Sequence, residues 1–228
     1  MRRMTDAASG DRAPGHDVPG FTRERLARYL ERNVTLPVRD TLLRALEHAG
    51  SPGRAADLGC GPGKEVAELL RRGWRVEAVD AYREMTVAAR TAAERAVGPA
   101  ECDARLRCTH APLAAWDAGV GQLDLVHAGF SLPFVAAADF PALWERIVRA
   151  IRPGGLFAGQ LFGPNDSFLR ESPAGSMNAH ARDAVDRLLA PFDVLSIAEE
   201  ERDGVIGTPP NERAKHWHVF HLVARRRA

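Results

Sequence analysis

Between Arg54 and Leu189 short apolar runs alternate with stretches whose apolar residues recur at helical spacing, and this alternation narrows the possible folds more than any other feature. Apolar runs fall at 55–58, 76–79, 105–108, 123–126 and 155–162, and helical stretches at 65–72, 83–97, 140–151 and about 182–189. Neighbouring parallel strands need a crossover of about a dozen or more residues, usually a helix, whereas antiparallel strands can be joined by a tight turn. The pattern therefore predicts an α/β fold, an open doubly wound sheet with helices on both faces. The end of the chain breaks the rhythm. Runs at 192–197 and 217–223 read as strands with only a turn-rich loop between them, at 202–212, which contains Gly204, Gly207, Pro209 and Pro210. With no helix to carry a crossover, these two strands should be antiparallel. The expected architecture is a seven-strand mixed sheet whose last strand runs against the others.

At 228 residues the chain is sized for a single domain. Residues 1–20 carry Gly10, Pro14, Gly15, Pro19 and Gly20 among polar neighbours and are expected to form a disordered tail. The domain then spans 21–228, beginning with two helices over 21–32 and 38–48 that make a helical lid at 21–50. Lys and Arg total 31 against 30 Asp and Glu, so no large field draws the whole molecule to nucleic acid or an anionic membrane. No apolar stretch follows Arg2 and Arg3 as a secretory signal requires, and none is long enough to span a bilayer, which predicts a cytoplasmic protein. Cys60, Cys102 and Cys108 are odd in number and form no CxxC pair, which suggests neither a disulfide framework nor a thiolate zinc site.

The segment Asp57-Leu58-Gly59-Cys60-Gly61-Pro62-Gly63-Lys64 joins a strand to a helix. Glycines there let the backbone turn sharply and approach a ligand closely. Two nucleotide motifs fail on spacing. A dinucleotide fingerprint begun at Gly59 would need glycine where Lys64 stands, and one begun at Gly61 would need it at Val66. A phosphate-binding loop of the Walker type would need glycine at Leu58 and a hydroxyl residue at Glu65. What remains is an acidic residue, three glycines at alternate positions, and a second strand ending in Asp80, placed to accept both hydroxyls of a ribose.

Together with Leu123-Asp124-Leu125-Val126 as the fourth strand, Ile151-Arg152-Pro153-Gly154-Gly155 as the turn before the fifth and the late antiparallel strand, these residues resemble the class I S-adenosylmethionine-dependent methyltransferases, in particular their small-molecule and tellurite-resistance-like branch. The resemblance runs from Tyr29 to the C-terminus. It implies a Rossmann-like sheet, S-adenosyl-L-methionine as cofactor and S-adenosyl-L-homocysteine as product. It also implies that Asp57 helps hold the methionine moiety, that the turn Gly59, Cys60, Gly61 and Gly63 cradles it, that Asp80 takes the ribose and that Ala81 touches the adenine. Family members often carry an acid just after the third strand for the adenine amino group. Cys108-Thr109-His110-Ala111-Pro112 has none, which leaves backbone groups around Ala111, or His110, for that task.

Methyl transfer from a sulfonium is an in-line displacement with an activated leaving group, so alignment and exclusion of water supply much of the catalysis. His127, at the carboxyl end of the fourth strand, is either a general base or a strand-end histidine satisfied by hydrogen bonds. Phe130, in Gly129-Phe130-Ser131-Leu132-Pro133-Phe134, offers an aromatic wall. Tyr29 belongs to a helix able to close over the cofactor, His180 is a further candidate, and His216 and Trp217 start the last strand near the site's rim. His216 and His218 form a His-x-His pair with no third ligand at a suggestive spacing, so no metal is expected. The Asp/Asn-Pro-Pro-aromatic motif of nucleic-acid amino methyltransferases is absent after the fourth strand; Pro209-Pro210-Asn211 lies elsewhere in reversed sense. The expected activity is methylation of a nitrogen, oxygen, carbon or chalcogen nucleophile on a small molecule, by a monomer or homodimer without nucleic-acid or membrane partners. The alternatives are a noncatalytic S-adenosylmethionine-binding regulatory protein and a nucleotide-dependent oxidoreductase, the latter weakened by the misplaced third glycine.

Overall fold

The computed structural model describes residues 28–30, 32–33, 36–207 and 212–228. The expected tail over 1–20 and the start of the first lid helix lie outside the described residues. The elements in order are α1 (Asp40–His48), β1 (Arg54–Leu58), α2 (Lys64–Arg71), β2 (Arg75–Asp80), α3 (Arg83–Val97), α4 (Pro99–Arg105), β3 (Leu106–His110), β4 (Leu123–Ala128), α5 (Phe140–Ala150), β5 (Ile151–Phe162), α6 (Ser167–Glu171), α7 (Arg182–Leu188), β6 (Phe192–Ile206) and β7 (Arg213–Arg226).

The seven strands form one sheet in the order β3-β2-β1-β4-β5-β7-β6. The first five pair in parallel, and β7 runs antiparallel to both β5 and β6. Adjacent residues of the central strands serve opposite faces, as the two-residue period demands. Leu125 packs with Leu42, Leu69, Leu70 and Val76 beneath α1, α2 and α3, whereas Val126 packs with Trp144, Ile147, Phe157 and Phe192 on the side of α5 and α7. Both faces are thus covered, and each fully buried leucine or phenylalanine contributes about 1.5–3 kcal/mol of transfer free energy. From β1 the chain crosses to β2 on one side, and β4 lies on the other. In open α/β sheets the crevice outside the carboxyl ends at such a reversal is where ligands bind. The glycine turn follows β1 at this place.

The structure differs from the sequence expectations at three elements. Residues 202–206 of the stretch expected as a loop belong to β6, which pairs with β7 from Phe192↔Arg226 to Ile206↔Arg213 with one register shift between Val194 and Ser196. Gly204 sits inside this edge ribbon opposite Lys215, where ladder hydrogen bonds outweigh its weak strand preference. Helix α4 was not anticipated: Gly98, at φ 86°, ends α3, and Pro99 starts a new helix at the one position where its missing N–H costs nothing. The Pro-Gly-Gly stretch at 153–155, expected as a turn before the fifth strand, lies within β5, with the register against β4 shifting between Leu123 and Leu125. No helix among the described residues is long and apolar enough to cross a membrane.

Candidate active site

The turn after β1 is stitched to β2, because the N–H groups of Gly59 and Cys60 both donate to the Val79 carbonyl, at 2.8 and 3.0 Å. Its glycines have left-handed backbones and different duties. A Cβ on Gly63 (φ 87°) would lie 2.4 Å from Ala89 Cα, so this glycine lets α2 pack on α3. A Cβ on Gly61 (φ 51°) would meet only the Tyr29 ring, at 3.7–3.8 Å. Gly61 therefore lines the cavity with bare backbone, within van der Waals reach of Tyr29.

Asp80 completes this corner. One carboxylate oxygen accepts from the Gly61 N–H and the other from the Tyr82 N–H, each at 3.0 Å. The group is only 7% exposed, and burial pushes its carboxyl up to about 6 against the opposing pull of those two donors. Each oxygen keeps a lone pair for a hydroxyl donor, and the carboxylate lines the cavity beside Ala81, Tyr82 and Met85. The opposite walls are Pro112, Leu113 and Ala114 after β3, and Gly129, Phe130 and Ser131 with the 134–136 stretch and Asp139 after β4.

Phe130 alone among the described non-glycine residues has a positive φ, 57°. A strained backbone of this kind persists only where its surroundings hold it. Its N–H donates to Gln160 Oε1 at 3.1 Å, and Gln160 Nε2 in turn donates to Thr41 Oγ1 at 3.0 Å. Edges of Phe162 and Trp217 pack on the Phe130 ring, with centroids 6.2 and 6.3 Å away.

Of the residues singled out from the sequence, Tyr29, Gly59, Gly61, Asp80, Ala81 and Phe130 line this one cavity. The others stand behind or away from its walls. His127 and Asp57, each 1% exposed, are hydrogen-bonded to one another, Nδ1 to Oδ1, at 2.7 Å. His127 Nε2 and Asp57 Oδ2 are buried without a hydrogen-bond partner. His127 is therefore not part of the cavity lining but a strand-end residue paired through Nδ1 with a carboxylate, its Nε2 left without a partner among the described residues. Cys60 and Gly63 are buried in the back of the turn, and burial pushes the Cys60 thiol well above its ordinary value. His110 Nε2 bonds the Ala81 carbonyl at 3.1 Å, and the Ala111 N–H bonds the Asp80 carbonyl at 3.0 Å. These two tie β3 to β2, and the cavity wall is made by the next three residues. His180 acts at one remove: it bonds Asn178 at 2.9 Å, and Asn178 donates to the carbonyls of Leu132 and Val135, pinning the wall after β4. His216 lies between Asp203 (2.8 Å) and Glu201 (3.1 Å), which raise its pKa, on the β6–β7 ribbon away from the rim. Trp217 does not line the cavity and packs against the back of its wall at the Phe130 ring.

Sequence reasoning missed Tyr82, Asp139 and the Gln160 brace. Tyr82 immediately follows a residue that was found, so extending that loop by a residue would have reached it. Gln160 carries no local signal, being a lone polar side chain in an apolar strand.

Residues 55–155 match the family model described as a methyltransferase domain. The chain is 33% identical over 147 residues to trans-aconitate 2-methyltransferase of Azoarcus sp. strain BH72, covering 61% of this chain and 51% of that protein. It is 30% identical over 154 residues to the Streptomyces avermitilis protein of the same name, covering 66% and 54%. The chain spans about half the length of the curated relatives it matches. Among solved structures it superposes on TehB from Haemophilus influenzae with a TM-score of 0.67 at 15% identity, over 87% of this chain and 66% of that one. It superposes on the 1,6-didemethyltoxoflavin-N1-methyltransferase of Burkholderia thailandensis with a TM-score of 0.59 at 21% identity, over 90% and 86%. The glycine turn and Asp80 both fall within the residues that match the methyltransferase domain, and the sheet is shared with the superposed structures.

Proposed function

We propose that this protein transfers the methyl group of S-adenosyl-L-methionine to a small-molecule acceptor, releasing S-adenosyl-L-homocysteine. The observation that carries the reading is the corner made by Gly61 and Asp80: bare backbone lining the cavity, next to a buried carboxylate whose two oxygens each keep an acceptor site. That donor and acceptor set fits the cofactor, with a carboxylate for the ribose diol, apolar walls at Ala81 and 112–114 for the adenine, and Gly61 backbone for the methionine moiety. The bound cofactor supplies the activated methyl group. The chain's own residues bind, orient and exclude water: Tyr29 covers the turn and Phe130, braced by Gln160, forms the wall beside it.

With His127 enclosed behind that wall, catalysis by alignment suits an acceptor whose nucleophile is already ionised or carries a lone pair. The relatives and neighbours named above include enzymes named for trans-aconitate and for a didemethyltoxoflavin, both small molecules, which supports an acceptor of that size here. Incubation with methyl-labelled cofactor and a fractionated metabolite pool tests the reading. Label should appear in a small-molecule product. Label confined to protein or nucleic acid would refute it, and cofactor binding without any transfer would favour a regulatory role.

A further inference from the structure

The segment entering α1 is fixed by the same turn that makes the cofactor corner. Lys64 Nζ donates to the Pro37 carbonyl at 2.7 Å, and the Arg39 N–H donates to Glu65 Oε1 at 3.3 Å. The first turn of α2 thus clamps residues 37–39. The clamp lays the Arg39 side chain over the Phe130 ring, with the guanidinium carbon 4.5 Å from the ring centroid. Gly129 makes the room. A Cβ there would lie 2.9 Å from both Cδ and Nε of Arg39 and 2.8 Å from His127 Cε1. The strained backbone of Phe130 and its Gln160 brace present the ring on which the guanidinium rests.

Held there, the Arg39 guanidinium makes no hydrogen bond or ion pair with any acid among the described residues. Glu65, the acid nearest along the chain clamp, is engaged by Lys64 at 3.5 Å and by the Arg39 backbone. Stacking uses the flat face of a guanidinium and leaves its edge donors available. The two residues Arg39 rests against, Gly129 and Phe130, both line the cavity. A planar fork of N–H donors matches a carboxylate in two parallel hydrogen bonds. A phosphate dianion would call for further cations, and Lys64 is already committed to Pro37 and Glu65.

We infer that Arg39 anchors a carboxylate of the methyl acceptor, so that the enzyme selects small carboxylic acids over their neutral counterparts. The inference rests on the methyl-transfer reading above and goes further by naming the acceptor's charge and the residue that reads it. Arg39 is a substrate-positioning residue, and the methyl-accepting atom need not be the anchored carboxylate.

The test uses wild type, Arg39→Ala and Arg39→Lys of the full chain, with labelled cofactor and a panel of succinate, citrate, benzoate and cinnamate beside their primary amides. Transfer should favour the acids. For the best acid, Arg39→Ala should raise KM by about 10–100-fold, the range for losing a hydrogen bond to a charged group, with kcat changed less than about threefold. Arg39→Lys should recover part of the loss, and S-adenosylhomocysteine affinity should be the same in all three proteins. Equal transfer to amides, an unchanged KM in Arg39→Ala, loss of S-adenosylhomocysteine binding in that variant, or no acid methylated by a wild type that binds S-adenosylhomocysteine would each overturn the assignment. Failure of wild type to bind S-adenosylhomocysteine at all would instead overturn the underlying methyl-transfer reading.

Discussion

If the ribose diol donates to Asp80, cofactor binding must select the ionised carboxylate, and affinity becomes a titration of that residue. Burial raises the Asp80 carboxyl from 3.8 to about 6 in the unliganded protein. A protonated group loses an acceptor site, so S-adenosylhomocysteine affinity should be flat above pH 7 and about tenfold weaker at pH 5. Stability of the unliganded protein carries the opposite sign. The folded state holds this proton more tightly than the unfolded chain does, so the group's contribution is full below pH 3.8 and is lost as pH rises through about 6. The shift corresponds to roughly 3 kcal/mol. Ligand-induced stabilisation should therefore grow between pH 5 and 7, as the free protein gives up that contribution and the ligand supplies donors to the ionised form. Calorimetry from pH 5 to 8 in buffers of differing ionisation enthalpy measures both the affinity and the proton released, which should approach half a proton per site near pH 6. Asp80→Asn should bind more weakly at pH 7 and lose this pH dependence. A wild-type affinity that stays constant from pH 5 to 8 would show that Asp80 does not take the ribose.

Three substitutions separate the duties of neighbouring residues. Gly61→Ala sets a methyl group into the cavity beside Tyr29 on a left-handed backbone and should cost about 1–2 kcal/mol of unfolding free energy while weakening S-adenosylhomocysteine binding at least about tenfold in a titration. Gly63→Ala drives a Cβ to 2.4 Å from Ala89 Cα, and urea unfolding should show a loss of about 2–4 kcal/mol from overpacking and backbone strain. His127→Ala strands the buried Asp57 without its partner and should cost about 3–5 kcal/mol in the same measurement; a loss below about 1 kcal/mol would contradict the pairing.

The parts of the molecule legible in the sequence were those written in local pattern. Strand and helix alternation led to the sheet because a period of two or 3.6 residues is visible within one element. Gly59, Gly61 and Asp80 were legible because a tight turn and a strand-end acid restrict residue type by themselves. What stayed hidden depends on contacts between distant segments. His127 and Asp57 are 70 positions apart and become partners only because β1 and β4 are adjacent, with Asp57 opposite His127 in register. The Gln160 brace reaches 30 residues back to Phe130 and 119 back to Thr41. His216 and Trp217 were expected near the site from strand direction alone. The direction was right, but the site has Phe130 as its wall, so Trp217 packs behind that ring and His216 is taken up by the acids of β6. Gly204 read as a loop residue because its own preference is for turns, while its actual place follows from its pairing with β7.

A crystal structure of the protein with S-adenosylhomocysteine bound tests the central claim most directly. The account predicts the ligand in the cleft at the ends of β1 and β4, both ribose hydroxyls on the Asp80 carboxylate, the homocysteine chain passing Gly61 beneath Tyr29, and the sulfur facing open space beside Phe130. A ligand bound elsewhere, or seated with Asp80 unengaged and its sulfur against a closed wall, would contradict it.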